Sequence, residues 1–161
     1  MLKTAKNFHK AGYNIILFDL RNHGESDTSP NSRTFTVGLY ESLDVIGLIS
    51  FINNDDKLNK MDVYITAFCT GANSVIIAIS KEKNLFKNVK SMAAVQPVTM
   101  DVFNRSYLKR MFTPIGSMMF MPIIRFWVKL LTNHKTTDMS PIDYTKDIPC
   151  PTIFIQAKKD P

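Results

Sequence analysis

Val63-Tyr64-Ile65-Thr66-Ala67-Phe68-Cys69-Thr70-Gly71 decides how this chain is read. The first four residues form a short apolar run of the kind found in a strand buried inside a sheet. Within a few residues the chain reaches Cys69 and Gly71, and residues 72–80 then read as a helix packed through Val75, Ile76 and Ile79. Strand, tight turn and helix follow one another, with Cys69 at the turn.

The same alternation extends outward from this stretch. Upstream, Leu2, Ala5 and Phe8 recur at helical spacing and Gly12 follows where a helix end wants a positive φ. Ile15-Ile16-Leu17-Phe18 then reads as a strand buried on both faces, followed by the polar loop Asp19-Leu20-Arg21-Asn22-His23-Gly24-Glu25-Ser26. Thr36 can cap a helix over about residues 37–52, with Leu39, Leu43, Ile46 and Phe51 on its apolar face and Glu41 and Asp44 on its wetter side. Downstream, residues 91–95 and 152–156 are further strands, the first ending at Gln96-Pro97 and the second preceded by Pro149-Cys150-Pro151. Strands alternating with helices predict an α/β fold with a parallel sheet flanked by helices.

Residues 99–147 break that rhythm. They hold six of the nine methionines together with Phe112, Phe120, Phe126 and Trp127, and read as helices joined by Pro and Gly turns. The expected organisation is a core over residues 1–98, an inserted helical cap over 99–147, and a final core strand and turn over 148–161.

Composition narrows the function classes. With 161 residues, 45% hydrophobic, the chain can bury a sizeable single-domain core. The net charge of +6 comes from scattered basic residues without a run of five, which argues against nucleic acid as a partner. Cys69 and Cys150 are far apart and have no neighbours at metal-ligand spacing, so neither a disulfide framework, a metal site nor any other cofactor is expected. A reducing, cytoplasmic setting fits free thiols, and residues 1–10 lack the apolar core of a signal peptide. The longest uncharged stretch, residues 111–124, contains Pro114, Gly116 and Pro122 and falls short of the roughly 20 residues of a spanning helix.

Cysteine at a strand-to-helix turn carries chemistry. A nucleophile elbow needs small residues two before and two after the nucleophile so that backbone can approach, and Ala67 and Gly71 occupy those places. Unpaired N–H groups and the dipole at the helix N-terminus favour the thiolate. The N–H of Thr70 falls where a tetrahedral oxyanion would form, supplying half of an oxyanion hole. The competing reading makes Cys69 a small buried residue, as free cysteines often are. Cys150, between two prolines, reads as structural.

Together these motifs resemble the α/β-hydrolases. The Asp19 to Ser26 loop is similar to their D-x-R-x-x-G-x-S loop, Ala67-Phe68-Cys69-Thr70-Gly71 to their G-x-S-x-G elbow, and Ala157-Lys158-Lys159-Asp160-Pro161 to their G-x-x-D-P turn. The nearest likeness is to serine-aminopeptidase-like or acyl-esterase-like members. The resemblance implies Asp160 as the triad acid, with a competing reading as a turn residue before Pro161. It also implies that the first strands and the other half of the oxyanion hole precede Met1, and that the catalytic histidine follows one more helix and strand beyond Pro161.

The three histidines present do not match the order nucleophile, acid, histidine. His23 reads as holding its own loop, His9 as lying on a helix surface, and His134 as an exposed cap residue that could in principle lean over the elbow. Asp19 and Arg21 read as a loop-fixing pair. The implied activity is hydrolysis of an apolar ester, thioester or lactone through an acyl-Cys69. The alternatives are acyl transfer from the same intermediate, or a degenerate hydrolase fold that binds a ligand under the cap. The cap's methionines suit an apolar ligand or plain core packing, and residues 123–131, with Arg125 and Lys129 among apolar neighbours, suit contact with a lipid surface.

Overall fold

The computed structural model describes residues 2–30, 36–132 and 140–158. In chain order the elements are α1 (Leu2–Lys10), α2 (Glu41–Asn54), β1 (Val63–Phe68), α3 (Thr70–Lys81), β2 (Val89–Val95), α4 (Met100–Met111), α5 (Pro114–Leu131) and β3 (Thr152–Ile155). Short 3-10 turns lie at Leu58–Lys60, Lys83–Phe86 and Pro141–Asp147. The strands form a parallel sheet in the order β1-β2-β3, with Phe68, Val95 and Ile155 in register at their C-terminal ends. Parallel neighbours require a crossover. Helix α3 makes the first, and α4 with α5 lies in the second. This is the expected α/β-hydrolase-type parallel sheet flanked by helices.

The core gathers around α3. Ala72, Asn73, Ser74, Val75, Ile76, Ile77, Ala78 and Ile79 are all buried, because the helix has α2 on one side, the Pro141–Asp147 turn on another and β1 beneath it. Val45, Ile49 and Ile52 of α2, Phe86 of the following turn, and Val89, Met92 and Ala94 of β2 complete the cluster. Ser80 Oγ donates to Asp147 Oδ2 at 2.9 Å and ties the end of α3 to that turn.

Helix α2 presents a different face from the expected one. Leu43 and Phe51 are exposed, whereas Glu41, Ser42, Val45, Ile49 and Ile52 are buried. The cause lies in the turn before the helix. Residues 37–40 form a turn rather than the first helical residues, and the Glu41 carboxylate folds back to receive the N–H and hydroxyl of Thr36, both at 2.6 Å, and the N–H of Gly38 at 3.0 Å. Three donors compensate the carboxylate for lost water, which lets it sit on the core side.

Ile15-Ile16-Leu17-Phe18 is not a strand among the described residues, and all four side chains are exposed. A strand exists only through a ladder partner. This run and Val63, Tyr64 and Ile65 of β1 line one hollow of about 980 Å³, and no ladder joins the run to the three-stranded sheet. Side chains bridge its rim: Tyr13 stacks edge-on against Tyr64 with ring centroids 5.9 Å apart.

The remaining elements follow the expected pattern with shifted ends. Gly12 after α1 takes φ +92°. Helix α5 continues through Pro122, in a region read from the sequence as helices joined by Pro and Gly turns. It is therefore 18 residues long, and among the described residues it is the one helix long and apolar enough, by length and composition alone, to cross a membrane.

Candidate active site

The sequence places a cysteine where β1 must stop and α3 must start, and the backbone turns there within one residue. Cys69 has φ +51° and ψ −120°, a region that a non-glycine residue occupies only when its surroundings impose it. Two hydrogen bonds impose it: the Cys69 N–H donates to Val95 O at 2.8 Å, and Cys69 O accepts from the Asn73 N–H at 3.1 Å. The main chain of the turn is thus held by the end of the neighbouring strand and by the first turn of its own helix. Among the described residues Cys69 is exposed.

Thr70 is the first residue of α3. Its N–H is one of the helix's orphan donors, at the positive end of the dipole. Ala67 is buried in β1 beside Ala94 of β2, also buried. Gly71 differs: a Cβ added there would meet nothing within 4 Å.

Asn73 braces the elbow one helical turn beyond Cys69. Its buried amide donates to Val37 O at 3.0 Å and Val98 O at 2.7 Å, and accepts from the Val98 N–H at 3.2 Å. One side chain joins the turn before α2, the elbow helix and the segment leaving β2. Gly38 lets these parts close up: at φ +111°, an added Cβ would come within 2.7 Å of Asn73 Cβ. Val37 and Gln96 on the same crest also take positive φ, +56° and +53°. Sequence reasoning missed Asn73 and the role of Glu41. The available signals were an amide inside the apolar run 72–79 and a Thr36-to-Glu41 spacing that is two residues too long for a capping box.

The loop over residues 19–26 is fixed by partners other than those expected. Arg21 pairs with Asp44 on α2 instead of Asp19: Nε lies 2.9 Å from Oδ1, Nη2 lies 2.6 Å from Oδ1, and the backbone N–H donates to Oδ2 at 3.0 Å. The hydrogen bond to Asp44 holds the guanidinium pKa above its usual value. Asp19 works inside the loop, where its Oδ2 accepts from the Glu25 N–H at 3.3 Å and its carbonyl from the Ser26 hydroxyl at 2.7 Å. His23 Nδ1 lies 2.9 Å from Arg21 O, the local role expected of it. Nearby, Lys81 reaches Leu39 O at 3.0 Å and Ser42 Oγ at 2.9 Å, and burial, with Arg21's charge behind it, pushes its pKa down.

Because the strands are in register, Cys69, Gln96 and Gln156 are the first residues beyond three adjacent strand ends, spaced by about 4.8 Å per strand. Crevices at the carboxyl ends of parallel strands are where open α/β sheets bind ligands. Asp160 and His134 lie outside the described residues. Among the described residues no group of three His, Cys, Asp or Glu side chains is placed to hold a metal. Cys150 is half-buried against the core, its Sγ 4.0 Å from Thr152 Oγ1, as suits a structural residue.

Comparison with known proteins agrees with this arrangement. Residues 2–114 match the family described as alpha/beta hydrolase fold. The chain is 24% identical over 159 residues to the uncharacterized protein YqkD of Bacillus subtilis (strain 168), covering 99% of this chain and 50% of that protein. It superimposes on the structure of a Pyrococcus furiosus esterase with a TM-score of 0.58 at 20% identity, over 90% of this chain and 49% of the esterase. The chain thus spans about half the length of the relatives it matches.

Proposed function

The chain belongs to the α/β-hydrolase fold family, and from that premise we propose that it carries the nucleophile of an enzyme that cleaves carboxylic ester or thioester bonds of apolar substrates. The observation that carries this reading is Cys69 itself: an exposed residue on a backbone turn held at φ +51° by its neighbours, immediately before the first residue of helix α3.

In the proposed reaction the Cys69 thiolate adds to the carbonyl carbon and forms a C–S bond, and the developing oxyanion is received by the Thr70 N–H. Collapse of the tetrahedral species breaks the C–O or C–S bond to the leaving group, which takes up a proton from the catalytic acid. Water then adds to the acyl-thioester, its proton passes to the base, and breaking of the C–S bond restores the thiolate. Asp160 is assigned to orient the histidine that serves as acid and base, supplied from beyond Pro161. Esters and thioesters are favoured over amides because a thiolate leaves the tetrahedral intermediate more readily than an unprotonated amine. A cytoplasmic setting belongs to the same reading, since the chemistry needs Cys69 reduced.

The test is acyl-enzyme trapping in the whole protein. Incubation with a p-nitrophenyl acyl ester should add the acyl mass to the peptide containing Cys69. Cys69→Ala should abolish both the adduct and turnover, a loss of at least about a thousandfold, with an unchanged melting transition. Turnover that persists in Cys69→Ala would sink the proposal. An acyl adduct on Cys69 that yields product only when an alcohol is added would replace hydrolysis with acyl transfer.

A further inference from the structure

Thr36, Glu41, Ser42, Asn73 and Ser74 are polar and fully buried, and they gather where α2 and α3 begin. A carboxylate is the costliest of these groups to take out of water, and a leucine would cover the core at position 41 without that cost. Glu41 supplies what a leucine lacks, acceptors aimed at one turn. Its Oε1 receives the Thr36 N–H, and its Oε2 receives the Thr36 hydroxyl and the Gly38 N–H. The oxygen of that hydroxyl accepts from the Tyr40 N–H at 2.8 Å, which leaves its proton for the carboxylate. All three partners are donors, so the site is made for a group that accepts on both oxygens.

The clamped turn is strained and lies on the elbow helix. Val37, between the two clamped residues, has φ +56°, and a β-branched residue in that region is an outlier that its surroundings must impose. Its carbonyl accepts from the Asn73 amide at 3.0 Å. Gly38 rests on the main chain of the first turn of α3, since an added Cβ would come within 2.9 Å of the Asn73 carbonyl carbon and of the Ser74 nitrogen. That same turn holds Cys69, whose carbonyl accepts from the Asn73 N–H at 3.1 Å. From Glu41 to Cys69 the connection therefore takes three steps: carboxylate to turn, turn to Asn73, Asn73 to elbow.

We propose that Glu41 is a positioning residue for Cys69: its carboxylate holds the 36–38 turn in the strained form that fixes Asn73, and Asn73 fixes the elbow. This role rests on the reading of Cys69 as the nucleophile, and Glu41 itself touches no substrate. Glutamine at position 41 keeps the size but sets an NH2 group in place of one acceptor, so at least one of the three donors loses its partner. Val37 then relaxes out of its strained conformation, and its carbonyl turns away from Asn73. A nucleophile displaced by a fraction of an ångström reacts more slowly on a substrate that binds as before.

The test is made in the whole protein, with iodoacetamide alkylation followed separately at the peptides containing Cys69 and Cys150. Glu41→Gln should change the rate at Cys69 by at least about threefold and leave half-buried Cys150 at its own rate. On a p-nitrophenyl acyl ester it should lower kcat by about tenfold or more with KM held within about twofold. In an Asn73→Ala background Glu41→Gln should add nothing further at Cys69, because the connection runs through Asn73. Thr36→Val keeps the volume and removes one donor to the carboxylate, so it should give the same pattern in milder form, and it carries the test if Glu41→Gln does not fold. An unchanged rate at Cys69, an equal change at Cys150, a raised KM with kcat intact, or additive effects of Glu41→Gln and Asn73→Ala would each overturn the proposal. Cys69→Ala separates this outcome from the reading beneath it. Turnover that persists there removes the nucleophile, whereas turnover lost there with alkylation unchanged in Glu41→Gln defeats the positioning role alone.

Discussion

Helices α3 and α5 are both rich in apolar residues, and they meet opposite fates. Eight successive residues of α3 are buried, including the amide of Asn73 and the hydroxyl of Ser74, whereas α5, longer and more apolar, buries only Ser117 and Met121. Composition states how much a helix gains from leaving water; it does not say what will cover it. Helix α3 is covered because it is the short crossover between two paired strands, which forces it onto the sheet with α2 and the Pro141–Asp147 turn around it. Helix α5 sits in a long excursion between β2 and β3, and α4 is its main neighbour.

The sharpest way to break this comparison is to truncate one apolar side chain in each helix. Ile76→Ala should lower unfolding stability by about 3–4 kcal/mol, since it leaves a cavity in a fully packed site. Phe126→Ser should change it by no more than about 0.5 kcal/mol. Equal losses in a urea titration would mean that α5 is as well covered as α3. A smaller effect tests the brace behind the elbow. Asn73→Ala leaves Val37 O and the two Val98 backbone groups without their partner and should cost about 2 kcal/mol. It should also change the alkylation rate of Cys69 by iodoacetamide; an unchanged rate would mean that the two backbone bonds hold the elbow unaided.

The smallest effect concerns the α4–α5 pair in acid. The hydrogen bond from Arg125, and then that from Arg105, holds the Asp101 pKa below its ordinary value of 3.8. A carboxylate with a depressed folded pKa contributes its stabilisation in full above the unfolded value and loses it as pH falls through the folded one. The α4–α5 contact should therefore be insensitive to pH above about 4 and loosen below it, and Asp101→Asn should remove that dependence. Hydrogen exchange on α4 at two pH values measures it.

Much of the architecture was legible from spacing. The run 63–66, the turn at Cys69 and the helix after it appear where they were expected, because a strand, a sharp turn and an embedded helix leave three different local patterns in a dozen residues. The face of α2 was not legible. Glu41 looked like a surface residue, and only the three donors at Thr36 and Gly38 let it take a core position, which leaves Leu43 and Phe51 outside. Arg21 was read with Asp19, its neighbour in sequence, and instead found Asp44 across the loop. The stretch with Pro114, Gly116 and Pro122 was read as helices joined by Pro and Gly turns, yet α5 begins at Pro114 and continues through Pro122.

The site divides along the same line. That a cysteine would stand on an elbow between a small residue and a helix start followed from residue order alone, since the chemistry of a thiol and the geometry of a strand-to-helix turn are both local. That Cys69 is exposed, that Asn73 braces it, and that Gly71 has open space around it depended on which segments, far apart in the chain, came to rest against the turn. Local preference is set by neighbours along the backbone and can be read from it. Burial and hydrogen-bond partnership are set by neighbours in space, and only the tertiary structure chooses them.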